Sequence, residues 1–256
     1  MKSRKTTEAS KVRERILELC EGAGGGHVTT AFSVVEILLS LYAVMDRDRD
    51  RFILSEGHAA PALYAVMESL GLLDTDWVEK FNSVGDTFAV FPNPGITMSV
   101  GSLGHGLGIG TGIALALALT RAPGLVWVLV SDGECYEGST WEAATVAAHH
   151  NLNNLVVLLN RNGMCATDFT ENACRLEPLA RKWRGFGWKV VTVDGHDREE
   201  LELEMAAVRA RYNPQPTVII CRTVKGKGVD FISNEPLWHS RALTGRELEK
   251  AREQVR

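Results

Sequence analysis

Three short, largely apolar stretches of the chain are separated by segments of helical periodicity. Val126-Trp127-Val128-Leu129-Val130 and Leu155-Val156-Val157-Leu158-Leu159 do not alternate with polar residues, and Thr217-Val218-Ile219-Ile220-Cys221 alternates little. Continuous runs of this length predict strands buried on both faces. Phe52-Ile53-Leu54 and residues 189–193 predict two further strands. Residues 7–22 instead carry Val12, Ile16 and Leu19 among charges, which predicts an amphipathic helix stopping at Gly22. Ser33-x-x-Glu36 and Ser139-x-x-Glu142 each read as a capping box at a helix start, and Thr244 with Glu247 as a third. Helices are also predicted over 59–70, 109–118, 178–186 and 199–211. Between Gly71 and Thr97 the chain is irregular, because Phe91-Pro92-Asn93-Pro94-Gly95 cannot continue a helix. Strands alternating with helices predict an α/β fold, a mainly parallel sheet with helices on both faces, as a single domain over 1–256.

Composition narrows the function. The chain has 256 residues, 45% of them hydrophobic, enough for a large core. A net charge of −4 with interspersed signs argues against a nucleic-acid or polyanion surface. Cys20, Cys135, Cys165, Cys174 and Cys221 form no Cys-x-x-Cys pair, the usage of a reduced, cytoplasmic protein. The charged start, Met1-Lys2-Ser3-Arg4-Lys5, has no apolar core of a secretory signal. Residues 100–119 lack Asp, Glu, Lys and Arg, and Gly104, Gly108 and Gly112 recur as on a membrane dimer face. Six glycines with Ser102 and His105 suit a loop entering a buried helix better. No register of this run gives Gly-x-Gly-x-x-Gly, so a dinucleotide site is not expected.

Candidate chemistry lies at two strand ends. The run from Val126 breaks at Ser131-Asp132-Gly133-Glu134 and the run from Leu155 at Asn160-Arg161-Asn162-Gly163. A parallel sheet gathers ligands outside the carboxyl ends of its strands, so Asp132 and Asn162 should reach one crevice. Both supply hard oxygen ligands. A Mg²⁺ ion that keeps water and borrows oxygens from a diphosphate needs few protein ligands, and Asp132, Asn162 and the Met164 carbonyl would suffice. The same residues also suit a plain turn followed by a capped helix. Taken alone they leave both readings open.

An Asp-Gly followed 30 positions on from its Asp by Asn162 resembles the thiamine-diphosphate motif. Glu137-Gly138-Ser139-Thr140-Trp141-Glu142-Ala143-Ala144 resembles the transketolase branch of that superfamily. So do Gly26-His27, Leu54-Ser55-Glu56-Gly57-His58-Ala59-Ala60-Pro61, Gly101-Ser102-Leu103-Gly104-His105-Gly106, and Lys225-Gly226-Lys227-Gly228 with Trp238-His239, all in transketolase order. Ser131 and Asn160 depart from the usual Gly and Asp. The chain is most similar to the N-terminal subunit of a split transketolase.

The resemblance implies thiamine diphosphate and Mg²⁺ as cofactors. Asp132, Asn162 and the Met164 carbonyl are then the metal ligands, and Gly133 lets the backbone approach the diphosphate. His58 and His239 meet the diphosphate and the reacting centre. His27 assists proton transfer near the donor hydroxyls. Glu137 joins a carboxylate network between two active sites. Gly101, Leu103, Gly104, His105 and Glu134 complete the cofactor set, while His149, His150 and His196 are ordinary residues. The resemblance also implies a partner chain carrying the pyrimidine-binding domain and the Glu that activates the cofactor, in a heterotetramer of two chains each. The expected reaction moves a two-carbon ketol unit from a ketose phosphate donor to an aldehyde acceptor. Alternatives are an acyloin-forming synthase using pyruvate, similar to deoxyxylulose phosphate synthase, and a non-catalytic regulatory subunit. Transketolases place Gly-His-Pro where this chain has Phe88-Ala89-Val90-Phe91-Pro92-Asn93-Pro94. An apolar ring there leaves a donor hydroxyl unpaired, at about 1–3 kcal/mol, and predicts an altered donor.

Overall fold

The computed structural model describes residues 7–73, 100–166, 168–210 and 213–255. The loop at Phe88–Pro94, with the altered donor expected from it, lies outside them. Five strands form the sheet: β1 (Arg51–Leu54), β2 (Val126–Ser131), β3 (Leu155–Arg161), β4 (Lys189–Asp194) and β5 (Thr217–Arg222). All pairings are parallel, in the order β1-β2-β3-β5-β4. The apolar runs are therefore the three central strands, which need cover on both sides.

That cover comes from helices on the two faces. α1 (Glu8–Gly22), α2 (Val28–Ser33), α3 (Val35–Val44) and α4 (Ala60–Ser69) enclose one core. Trp127, Leu129, Val156 and Leu158 point into it. α5 (Gly106–Thr120), α6 (Gly138–His149) and α8 (Leu179–Gly185), which follows the short α7 (Thr170–Ala173), enclose the other. Val126, Val128, Val130 and Val157 fill that side. The two-residue period of each strand sorts its side chains between the cores. α9 (Arg198–Ala210) and α10 (Arg246–Val255) pack on the first core through Leu201, Met205, Leu248 and Ala251.

Two capping boxes are not formed. Ser33 ends α2 instead of opening a helix, and its hydroxyl donates to the Thr30 carbonyl at 2.7 Å. Glu36 turns to Arg13 and His196. Ser139 is the second residue of α6, and its hydroxyl donates to the Gly104 carbonyl at 2.9 Å. In both cases another partner takes the hydroxyl that the local motif assigns to a cap. α5 starts three residues earlier than its periodicity predicts. It can do so because Gly106 and Gly110 let it press on the sheet: an added Cβ would collide with Ser55 Oγ at the first and stand 2.5 Å from Val128 Cγ2 at the second. No helix among the described residues is long and apolar enough to cross a membrane.

Candidate active site

Ser131 and Asn160 are register partners, so β2 and β3 end side by side and deliver Asp132 and Asn162 to one cleft. The cleft encloses about 370 Å³, and His27, His58, Lys225 and His239 also line it. Asp132 is fully buried. Its Oδ2 accepts from the Gly163 N–H at 2.8 Å and from Arg161 Nη1 at 3.0 Å. Its Oδ1 is buried with no hydrogen-bond partner. Burial pushes the carboxyl above its ordinary range, against the nearby Arg161 charge and the Gly163 N–H. Asn162 Oδ1 accepts from the Met164 N–H at 3.0 Å, which closes the turn.

An orphaned buried carboxylate oxygen is costly, and a hard cation removes the cost. Asn162 and Met164 line the same cleft, so the donor set fits Mg²⁺. Among the described residues no three His, Cys, Asp or Glu side chains could hold an ion by themselves. A Mg²⁺ ion held here would take its remaining ligands from water and phosphate oxygens.

The three histidines converge from α2's start, the turn after β1 and the segment beyond β5. Ring centroids are 5.4 Å apart for His27 and His58, 5.1 Å for His27 and His239, and 5.9 Å for His58 and His239. Burial, with Lys225 close by, lowers His27 to about 4 and His239 to about 3. His58 is also driven down, by burial and then by the charges of His27 and Lys225. All three are neutral at pH 7. Lys225 is buried, and its Nζ lies 2.6 Å from His239 Nδ1. An ammonium only donates, so Nδ1 accepts and His239 carries its proton on Nε2, where it can serve a ligand. Burial lowers Lys225 to about 8. Lys225, a cation among neutral imidazoles beyond a strand's carboxyl end, suits an anionic ligand.

Gly101, Leu103, Gly133 and Glu137 line the cleft too, as does Tyr136. Three expected cofactor residues lie off its wall. Glu134 is buried behind it: Oε1 accepts from Ser55 Oγ and from the Gly104 N–H at 3.0 Å, and Oε2 from the Ser131 N–H at 2.8 Å. It ties three loops together and frames the cleft. Gly104, at φ +79°, is held in that frame, and an added Cβ would meet Glu137 Cβ at 2.6 Å. His105 is exposed as the residue before α5.

Sequence reasoning passed over Arg161, Glu56 and Lys225 as site residues, and it read His196 as ordinary. Arg161 pairs with Asp132, Glu171 and Glu177. Its only sequence signal is its place between Asn160 and Asn162. Glu56 is fully buried, and burial, then the Glu134 charge, hold its carboxyl well above the usual range. Asn160 Nδ2 donates to it at 3.2 Å. His149 and His150 end α6, as expected.

Residues 5–255 match the family model described as transketolase, thiamine diphosphate binding domain. The chain belongs to the transketolase family. It is 33% identical over 263 residues to one of the subunits of the apulose-4-phosphate transketolase of Actinobacillus succinogenes, covering 97% of this chain and 95% of that one. With the 6-deoxy-6-sulfo-D-fructose transketolase subunit SqwG of a Clostridium species it shares 34% over 250 residues, or 93% and 90% of the two chains. Human transketolase is 32% identical over 248 residues, which are 92% of this chain and 39% of that one. The solved transketolase of Leishmania mexicana superposes with a TM-score of 0.85 at 25% identity over 96% of this chain. The Campylobacter jejuni enzyme gives 0.80 at 23% over 96%. The chain spans 40% and 42% of those two structures.

Proposed function

We propose that this chain is the diphosphate-binding subunit of a two-chain, thiamine-diphosphate and Mg²⁺-dependent transketolase that moves a two-carbon ketol unit between a ketose donor and an aldehyde acceptor. The observation that carries the reading is the unpaired, buried Oδ1 of Asp132 in a cleft shared with Asn162, Lys225 and three neutral histidines. Asp132, Asn162 and the Met164 carbonyl hold the metal. Gly133, Lys225, His58 and His239 take the diphosphate. When bound, the cofactor supplies the electron sink for breaking and remaking the carbon–carbon bond. His27, neutral and beside the other two rings, accepts and returns the proton of a donor hydroxyl, a service worth roughly 10²–10⁴ in rate.

Near-complete coverage of relatives that are named as single subunits of a transketolase supports a partner. That partner brings the pyrimidine-binding domain and the activating Glu, and Glu137 reaches toward a second active site in a tetramer of two chains each. The relatives named for apulose-4-phosphate and 6-deoxy-6-sulfo-D-fructose favour a donor among ketose derivatives. The five free cysteines accord with a cytoplasmic enzyme. Calorimetry with thiamine diphosphate and Mg²⁺, on the chain with and without its partner, tests the proposal. Binding and ketol transfer are expected once both chains are present, and no heat of binding in either state rejects it.

A further inference from the structure

Arg13 and Glu36 are charged residues only 6% and 7% exposed, and neither lines the active-site cleft. A buried pair needs further hydrogen bonds to offset its desolvation, and here they lead toward the cleft. Glu36 Oε2 accepts from Arg13 Nη2 at 2.7 Å and lies 3.0 Å from His196 Nδ1. Burial raises Glu36, but the bonds from His196 and Arg13 outweigh it and bring the carboxyl down to about 2. An ionised carboxylate only accepts, so His196 carries its proton on Nδ1 and a lone pair on Nε2. That lone pair takes the Val224 N–H at 2.9 Å. On the other side of Lys225, the Gly226 N–H donates to the Thr29 carbonyl at 2.8 Å, and the Lys225 carbonyl accepts from Asn234 N–H at 2.9 Å.

Lys225 is thereby clamped at the amides before and after it, and one clamp point is a side chain whose tautomer two other residues dictate. We infer that Arg13, Glu36 and His196 are positioning residues for Lys225, a relay from α1 through α3 that sets where its ammonium meets the diphosphate. The inference rests on the reading of Lys225 as a diphosphate ligand. None of the three lines the cleft. They act through the backbone of residues 224–226, and small misplacements of a binding group cost far more than the displacement suggests.

The test is a double-mutant cycle in the assembled enzyme, read as the dissociation constant of thiamine diphosphate at saturating Mg²⁺. Lys225→Met and His196→Phe are each expected to weaken binding about tenfold, the scale of one lost hydrogen bond to a charged group. The double variant is expected to be no worse than Lys225→Met alone, since a misplaced lysine that is absent cannot be lost twice. His196→Gln, which returns an acceptor toward the Val224 N–H, is expected to recover most of the affinity. Hydrogen exchange of the free chain over 222–230 is expected to accelerate in His196→Phe and not in Lys225→Met. Additive losses in the double variant, wild-type affinity in His196→Phe, or unchanged exchange overturns the inference. Wild-type affinity in Lys225→Met overturns the reading of Lys225 instead, and the exchange rates then decide whether the relay holds that segment.

Discussion

Asn160 shows how one residue can depart from a family's usual choice for a reason found far away in the chain. Its Nδ2 donates to both oxygens of the buried Glu56, at 3.3 and 3.2 Å, and to Ser33 Oγ at 3.0 Å, while its Oδ1 accepts from Thr223 Oγ1 at 2.6 Å. An Asp at 160 keeps the acceptor and loses the donor. Asn160→Asp is therefore expected to destabilise the chain by about 1–3 kcal/mol, the cost of an unsatisfied buried group. Adding Glu56→Gln, which restores a donor on the opposite side, should recover most of the loss; urea midpoints of the single and double variants measure both, and a double variant no better than Asn160→Asp refutes the pairing. Glu36 gives a second residue-scale expectation. Its folded pKa of about 2 lies below its ordinary 4.5. The stability it contributes is thus complete above about pH 4.5 and is lost as pH falls from there toward 2. Glu36→Gln should be the less stable protein at about pH 6, and the gap should narrow by about 2 kcal/mol by about pH 3, in urea titrations across that range. A constant gap means that the carboxylate is not favoured by folding.

At the scale of elements, the strands and most helix bounds were legible in the sequence, while two capping boxes and the start of α5 were not. Short apolar runs rich in Val and Ile favour strands covered on both faces, and β2, β3 and β5 begin where those runs begin. A capping box is a weaker signal, because its hydroxyl is free to prefer another partner. Ser33 and Ser139 did so, bonding within α2 and across to Gly104. The glycines of α5 divide the same way. Gly110 faces β2, where a Cβ would stand 2.5 Å from Val128 Cγ2, while Gly112 is exposed with nothing within 4 Å. Alanine improves helix propensity at either site by about 1 kcal/mol. At 110, overpacking by about 1–3 kcal/mol opposes that gain, and the close contact is with a buried methyl that has nowhere to go. Gly112→Ala is expected to raise the melting temperature of the isolated chain and Gly110→Ala to lower it. A stabilised Gly110→Ala chain shows that the helix can lift off the sheet without penalty.

For the whole molecule, the site could be foreseen only where sequence position and strand ends coincide. Asp132 and Asn162 follow adjacent strands directly, so topology brings them together. Arg161, Glu56 and His196 draw their roles from partners up to 160 positions distant, which no local pattern encodes. One consequence couples the site to the stability of the entire fold. Asp132 Oδ1 makes no bond in the free chain, so exchanging that oxygen for an amide nitrogen removes little from the unliganded protein. In the proposed site the same oxygen ligates Mg²⁺ when thiamine diphosphate is bound, and whatever binds only the folded state stabilises it by mass action. At ligand near 100 times its dissociation constant the gain is about 2.7 kcal/mol. For a chain of this size that corresponds to roughly 5–10 °C in melting temperature. The assembled wild-type enzyme is expected to show that rise on adding both ligands. Asp132→Asn is expected to melt close to wild type without ligands and to gain almost nothing with them. An equal rise in Asp132→Asn would mean that the ion is held elsewhere, whereas a large drop before any ligand is added would mean that the Arg161 pair, not the unpaired oxygen, is what Asp132 contributes.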